Sequence, residues 1–470
     1  MLWTPAILTE AAGGKLLSGN PDAPIQTIST DTRRMAARHC FIALSGENHN
    51  GHAFVADAIG KGASAVIVSE WRNGTDPMGC AVIQVRDTLY SLGEIARYHR
   101  NRFDIPVIAV SGSNGKTSTK EMIAAIFERS RKVLKNRGNY NNLIGLPLTL
   151  LELTLEHRMA VVEMGINVPG EMERLARIGS PDAGVITNVH PAHLQGLGSL
   201  DGIVEEKGLL WKRLRPGGLA VVNLDDPRLS RYAERVNARK VTYSSGNAAA
   251  DVHAAGPVVV SEGMTRFSIA LGGTELPVCL PIMGSHHARN ALAAAATAYG
   301  MGASAEEIAA GLAEYEPANQ RMQCIRLRNG CVLVDDTYNA NPGSLLAAVE
   351  AVRSACTGRP FVAVLGEMRE LGPESPALHF DAGKSIGAAK PGRLVTLGEM
   401  GLEMERGARA AGMDASACYH AHSHEDALSY LRRNLPEHAW ILVKGSRAMA
   451  MEQIVEGMTA GNEEGVGDCE

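Results

Sequence analysis

Residues 111–120 read SGSNGKTSTK and follow directly on the apolar run IPVIAV at 105–110. A short β-branched run that breaks at glycine and continues as Lys-Thr predicts a strand, a tight turn and a helix. The full P-loop pattern spaces its glycines as G-x-x-x-x-G-K-[ST]. Here Gly112 and Gly115 are closer, with Ser113 and Asn114 between them and Lys116, Thr117 and Ser118 behind. The physics of an anion cradle survives that shortening. Glycine lets the backbone turn sharply and approach a ligand, and the amides and dipole of the following helix favour negative charge. Lys116 can reach the outer phosphates of a nucleotide, and the Thr117 hydroxyl can face Mg²⁺. An ordinary strand-to-helix turn is the bland alternative, but Gly-Lys-Thr rarely arises there for packing reasons.

Outward from this loop the chain alternates strand and helix. MAVVEMG (159–165), AGVITN (183–188) and GLAVVN (218–223) are short apolar runs ending in polar residues or glycine. Buried parallel strands have this signature, so an open α/β sheet is expected. Its ligands belong at the carboxyl ends of its strands. Glu163 stands at one such end as a candidate Mg²⁺ ligand, since Mg²⁺ prefers carboxylate and water oxygens. His190 and His193, in the loop after AGVITN, fit either a ligand or a solvated loop position. Lys207, in IVEEKGLLW, reads from composition as a helix-surface lysine. Between about 240 and 282 short alternating segments predict an antiparallel excursion, and the helical stretch ARNALAAAATAYGM follows. CVLVDD (331–336), FVAVLG (361–366), RLVTLG (393–398) and AWILVKG (439–445) predict a second, smaller doubly wound sheet. Before the loop, CFIAL (40–44) and ASAVIVS (63–69) read as strands around the helical AFVADAIGKGA.

A chain of 470 residues exceeds what one core usually holds, roughly 250–300 residues, so several domains are expected. The boundaries fall near 104, where polar HRNRFDIP ends in proline, and near 318, giving units 1–104, 105–318 and 319–470. A net charge of −5 excludes a broad nucleic-acid surface, which would need a basic face. The eight cysteines form no Cys-x-x-Cys pair, so zinc spacing and a disulfide framework are poorly supported and free thiols in a reducing cytoplasm are expected. Neither a signal peptide nor a membrane-spanning run is legible. A frayed tail is expected at GNEEGVGDCE, and a monomer overall.

The shortened loop, VEMG, AHLQGLGS, HHARNALAAAA and VDDTYNANPGS occur in the order found in the Mur ligases, and the resemblance covers nearly the whole chain. These are ATP-dependent amide ligases of bacterial cell-wall precursor synthesis. GNYNNLIGLPLTLLEL (138–153), DDTYNANP (335–342), LGEMRELG (365–372) and VKGSRAMAME (443–452) resemble the branch that joins D-alanyl-D-alanine to UDP-MurNAc-tripeptide. That resemblance implies three α/β domains: one for the uridine nucleotide, a central P-loop ATPase-like mostly parallel sheet, and a C-terminal Rossmann-like sheet that closes over ATP and binds the dipeptide. It implies ATP phosphates on residues 112–118, and two Mg²⁺ ions held by Thr117, Glu163, His193 and Lys207, the lysine as a carbamate. It assigns Asn290 to adenine, Arg321 to the γ-phosphate side and Asp336 to the ribose. Ser29, Thr30, Asp31 and Arg33 in STDTRRM, with Asn139, Asn141 and Asn142, are the implied substrate contacts. Departures occur at Asn50 and Glu367, where family members often carry aspartate, and at Gln195-Gly196-Leu197, where they often read Glu-Gly-Phe. Close alternatives are the third-residue-adding Mur ligase and folylpolyglutamate synthase, and beyond them a non-catalytic nucleotide-binding protein. The GNYNN and TYNANP stretches argue against the first two, and the presence of Thr117, Glu163, His193 and Lys207 argues against the last.

Overall fold

The computed structural model describes residues 3–46, 50–71, 76–191, 194–261 and 263–460. The expected C-terminal tail lies outside them. Five-residue apolar strands build the interior of two sheets: Val107–Ser111, Met159–Glu163 and Leu219–Asn223 in the central one, Phe361–Leu365 and Trp440–Lys444 in the third. Every residue of these strands is buried, as parallel strands covered by helices on both faces require.

Three sheets follow one another along the chain. The first has five strands, with Lys15–Ser18 antiparallel at the edge beside Ala81–Gln84 and the remaining pairs parallel. The central sheet has ten strands, and its parallel part places Val107–Ser111 between Met159–Glu163 and Ala183–Ile186. The chain adds strands first on one side of Val107–Ser111 and then on the other, so this strand is the topological switch point where open α/β sheets bind ligands. The third sheet has six strands, parallel except for Gln323–Arg326 at its edge. The connectors 101–106 and 314–322 separate the three.

The antiparallel excursion starts later than its sequence suggests. Arg239–Ser244 continues the parallel sheet, Val252–Ala254 is parallel to it on one side and antiparallel to Met264–Leu271 on the other, and Val259–Ser261, Met264–Leu271 and Thr274–Leu280 pair antiparallel. Met264–Leu271 alternates buried and half-buried side chains along its length, the mark of a sheet wet on one face. Periodicity separates this strand from its fully buried neighbours, but it does not reveal strand direction. The short strands Lys15–Ser18, Thr27–Ser29, Val133–Lys135 and Cys418–Ala421 have too few residues to carry a readable period.

Packing ties the three units together. The alanine-rich helix Ser285–Gly300 buries nearly all its residues and lies against the loop helix Lys116–Glu128. One continuous apolar cluster runs from Val110 and Met122 of the central sheet to Val334, Leu345 and Phe361 of the third. The first sheet is clamped differently, through the helix Thr88–Arg100. Arg100 is 2% exposed, and its guanidinium donates to the carbonyls of Gly179 (3.2 Å), Phe103 (2.8 Å) and Ile105 (3.1 Å). Glu94 pairs with Arg174 of the central unit, whose guanidinium lies 3.9 Å above the Tyr90 ring. Seven cysteines lie among the described residues, all as free thiols, and no described helix is long and apolar enough to cross a membrane.

Arg100→Ala would strand three buried carbonyls at this junction. The expected loss is about 3 kcal/mol, read from denaturant unfolding. A loss under about 1 kcal/mol would mean that those carbonyls find other partners.

Candidate functional site

The turn after Val107–Ser111 is built around two glycines with positive φ, Gly112 at 141° and Gly115 at 79°. A Cβ on Gly112 would stand 1.9 Å from Thr187 Oγ1, and one on Gly115 would stand 2.2 Å from Asn290 Oδ1. The space that side chains would need is already filled by groups that shape the loop. Thr187 Oγ1 and Asn188 Nδ2 donate to the Asn114 carbonyl at 2.5 and 3.1 Å, and Asn188 Oδ1 accepts from Asn114 N at 2.9 Å. Ser113 Oγ exchanges hydrogen bonds with the backbone of His190. Gly115 starts the helix Lys116–Glu128, and no side chain caps that end. Thr119 N is bonded back to the Gly115 carbonyl. The amides ahead of it are therefore left for a ligand, as at anion-binding helix starts.

Around this turn stand the candidate groups. Thr117 Oγ1 donates to Glu163 Oε2 at 2.7 Å and accepts from Arg321 Nη2 at 3.0 Å. Glu163 is 3% exposed, and its other oxygen accepts from Asn141 Nδ2 at 2.7 Å. Asn136 brackets the Glu163 backbone, donating to its carbonyl and accepting from its amide. Lys120, fully buried, donates to the Asn136 carbonyl at 2.5 Å and so braces the same bracket. Lys116 Nζ donates to the carbonyls of Gly112 (2.9 Å) and Ser113 (3.2 Å). It is half-buried, folded back onto its own loop rather than extended into solvent.

Lys207 overturns its compositional reading. It is not on a surface: it is 2% exposed, and its Nζ donates to the Gly112 carbonyl at 3.0 Å, the oxygen that also serves Lys116. Burial pushes the Lys207 ammonium well below its ordinary pKa, and the Lys116 charge pushes it further, against the opposing pull of Glu163 and Glu206. Lys116 is lowered too, by burial first, with Glu163 raising it and Arg321 lowering it. Two lysine side chains thus converge on one carbonyl, and Glu163 is the carboxylate that acts on both.

The remaining assignments divide. Asn290 is 6% exposed and sits against Gly115, at the loop, with Ser118 at the end of the loop sequence also buried. Arg321 reaches the loop through Thr117 and lies 4.1 Å above the Tyr338 ring. Asp336 is paired with buried Lys444 at 2.5 Å and accepts from Met322 N. Asn142 Oδ1 is spent on the amides of Ile144 and Gly145, and Asn139 enters through its carbonyl, which accepts from Asn141 N. In the first sheet Ser29 Oγ bonds the Asp31 backbone, and Asp31 caps Arg33 N while gripping its guanidinium. Thr30 lies between them, at the carboxyl end of Thr27–Ser29. His193 lies outside the described residues. His190 is held through its backbone, and its ring lies 3.2 Å from where a Cβ on Gly343 would be.

The departures fit their positions. Asn50 Oδ1 accepts from His52 N at 3.0 Å, as an aspartate carboxylate would. Glu367 Oε1 accepts from Met400 N at 2.9 Å, and its longer side chain fits because residue 398 is a glycine.

Sequence reading missed Asn136, Thr187, Asn188 and Asn341. Thr187 and Asn188 follow a strand end in the same way as Glu163, which is a usable signal. Asn136 carries none, because its role is visible only once its loop is folded against Glu163.

The comparisons agree with this geometry. The Mur ligase family catalytic domain matches residues 24–100, the Mur ligase middle domain matches 110–298, and the Mur ligase glutamate ligase domain matches 320–447. The UDP-N-acetylmuramoyl-tripeptide–D-alanyl-D-alanine ligase of Escherichia coli strain K12 is 35% identical over 455 residues, covering 96% of this chain and 97% of that one. The enzyme of the same name from Bacillus subtilis strain 168 is 35% identical over 92% of this chain and 93% of its own. A crystal structure of MurF from Acinetobacter baumannii superposes with a TM-score of 0.90 at 30% identity, over 98% of this chain and 99% of that one. With three family domains in order and full-length relatives above 30% identity, the chain belongs to the Mur ligase family.

Proposed function

We propose that the chain is the ATP-dependent ligase that joins D-alanyl-D-alanine to UDP-MurNAc-tripeptide. The observation that carries this reading is the convergence of Lys116 and Lys207 on the Gly112 carbonyl, beside Glu163 and beneath an uncapped helix start. A site with Lys116, Arg321 and free amides suits a polyphosphate and a carboxylate that must approach each other. Relatives that match over nearly the whole chain and carry that name support the choice of substrates.

A free carboxylate has no leaving group that an amine could displace at neutral pH. In the proposed reaction the terminal carboxylate oxygen of the tripeptide attacks the γ-phosphorus of ATP. The bond to the β–γ bridging oxygen breaks, ADP leaves, and an acyl phosphate forms. The dipeptide amine then attacks the acyl carbon, the carbon–oxygen bond to phosphate breaks, and the amine proton passes to a base or water. Lys116 would leave its loop carbonyls to follow the transferring phosphoryl group, and the loop amides would hold the phosphates behind it. Arg321 would balance charge from the far side, through its position at Thr117. Holding three substrates in line could remove up to roughly 7–11 kcal/mol of the barrier.

Thr117, Glu163 and Lys207, with His193, are the proposed Mg²⁺ ligands. The donors fit: Mg²⁺ takes one or two protein carboxylates together with substrate phosphates, rather than an all-protein cage. Among the described residues no group of three His, Cys, Asp or Glu side chains could hold a metal alone. When bound, the ion would supply charge neutralisation between nucleotide and carboxylate. For Lys207 to serve it, the ammonium must become an anion. Its lowered pKa favours the neutral amine, whose nitrogen can attack CO₂ and lose a proton to give a carbamate. The Lys116 charge that repels the ammonium would then attract the product.

Phosphate release by the purified protein should require ATP, UDP-MurNAc-tripeptide and D-alanyl-D-alanine together; release with ATP and glutamate-type acceptors instead would move the chain to another branch. Lys116→Ala should retain the fold, since it removes only two hydrogen bonds to loop carbonyls, and should lose more than about nine-tenths of turnover with the contact to phosphate. Folded variant with near-normal turnover would sink the phosphate role. Lys207→Ala should lose most activity and recover part of it when a small carboxylate fills the vacated volume, whereas Lys207→Arg should not recover. Unimpaired Lys207→Ala, or no recovery with carboxylates of several sizes, would rule the carbamate out.

A further inference from the structure

Besides Arg321 on Thr117, a second pair of side chains hydrogen-bonds the phosphate loop directly to the third domain. Asn341 Nδ2 donates to Asn114 Oδ1 at 2.6 Å, and Asn114 Nδ2 donates back to Asn341 Oδ1 at 3.3 Å. Asn341 is also the N-cap of the helix Pro342–Ala355, where its Oδ1 accepts from Ser344 N at 2.9 Å. One amide therefore fixes both the start of a third-domain helix and the middle of the loop. The contact continues inward. Ala340, the next residue back, accepts from Ser446 Oγ at 3.2 Å, and Ser446 Oγ accepts from Arg369 N at 2.8 Å. Ser446 N donates to the Glu367 carbonyl at 3.0 Å. The 366–372 loop is thus suspended from the same short segment that touches the phosphate loop.

That loop meets the segment that follows the strand Ala183–Ile186. Gly372 lies against Gln195, 3.6 Å from its Cα as measured from a Cβ position, and Gln195 follows the strand Ala183–Ile186 on the ligand-binding edge of the central sheet. Arg369 projects from it, 58% exposed, steadied by Glu367, which is 4% exposed, at 2.8 Å. An incoming substrate with a free carboxylate needs a cation on this side of the site, and the loop offers one.

We propose that Asn341 is a positioning residue that couples an occupied phosphate loop to the 366–372 loop, and through it to the site for the incoming carboxylate-bearing amine. The choice of that substrate class rests on the ligase reading above; the coupling does not. The route Asn114–Asn341–Ala340–Ser446–Arg369 runs through hydrogen bonds and the one peptide link between Asn341 and Ala340, and energetic coupling along it can be measured by double substitution.

The informative variant is Asn341→Asp. Aspartate caps a helix as well as asparagine and still accepts from Ser344 N and Asn114 Nδ2. It cannot donate to Asn114 Oδ1, and it sets oxygen against oxygen at the shorter of the two bonds. Hydrogen exchange of the amides in 366–372, with and without ATP, reads the coupling without reference to turnover. In the unaltered protein ATP should slow that exchange by about tenfold, and in Asn341→Asp the slowing should vanish although ATP still binds. Ser446→Ala, which cuts the route at its other end, should behave the same way. In ligation assays Asn341→Asp should lower kcat/KM for D-alanyl-D-alanine by about tenfold while KM for ATP stays within about twofold, and adding Ser446→Ala should cost nothing further. Exchange that ignores ATP in the unaltered protein, slowing that persists in Asn341→Asp, or losses that multiply in the double variant would overturn the proposal. Absence of ligation by the unaltered protein, with the exchange pattern intact, would overturn the ligase reading alone.

Discussion

A side chain at position 112 or 115 would occupy space that Thr187 and Asn290 already fill, and the rest of the site is arranged around that exclusion. With no Cβ in the way, Thr187 and Asn188 can take the loop carbonyl and amide, and Asn290 can press on the helix start. The loop is held entirely from the protein side, which leaves its other side, and the uncapped amides, open to an anion. The Gly112 carbonyl then becomes an acceptor shared by Lys116 and Lys207. Buried polar groups are costly unless partnered. Here loop carbonyls partner both lysines.

The acid side of the site is built with the opposite logic. Glu163 is surrounded by donors: Thr117 and Asn141 on its carboxylate, Asn136 on its backbone. These bonds fix where the carboxylate points, so its remaining lone pairs are aimed before a ligand arrives. Outer groups that orient a metal ligand matter nearly as much as the ligand. Asn141, in the GNYNN stretch, donates its side-chain amide to Glu163. Through Asn141 the stretch holds a carboxylate in place.

The junctions between units differ in chemistry. The first sheet joins the central one through a buried arginine that satisfies three carbonyls, an arrangement with little tolerance for sliding. The third sheet joins it through apolar packing and a few polar bonds at the phosphate loop. Apolar contacts are non-directional, so the polar bonds set the register between loop and third domain.

Short-range order in the chain determined the strand–turn–helix at 107–128, the α/β alternation and the position of Glu163 at a strand end, because each follows from spacing over a few residues. His190 and Asn290 could be noticed, but their partners could not. Lys207 lies 95 residues from Gly112, and Asn341 lies 227 from Asn114. Local sequence around Lys207 describes an amphipathic helix and says nothing about which face a distant loop will cover. Only the tertiary structure decided that this lysine is buried beside another cation, that Asp336 is engaged by Lys444, and that the phosphate loop and the third domain share an amide pair. Burial, and with it charge state and hydrogen-bond partnership, is a property of packing between segments remote in sequence, so no window of residues contains it.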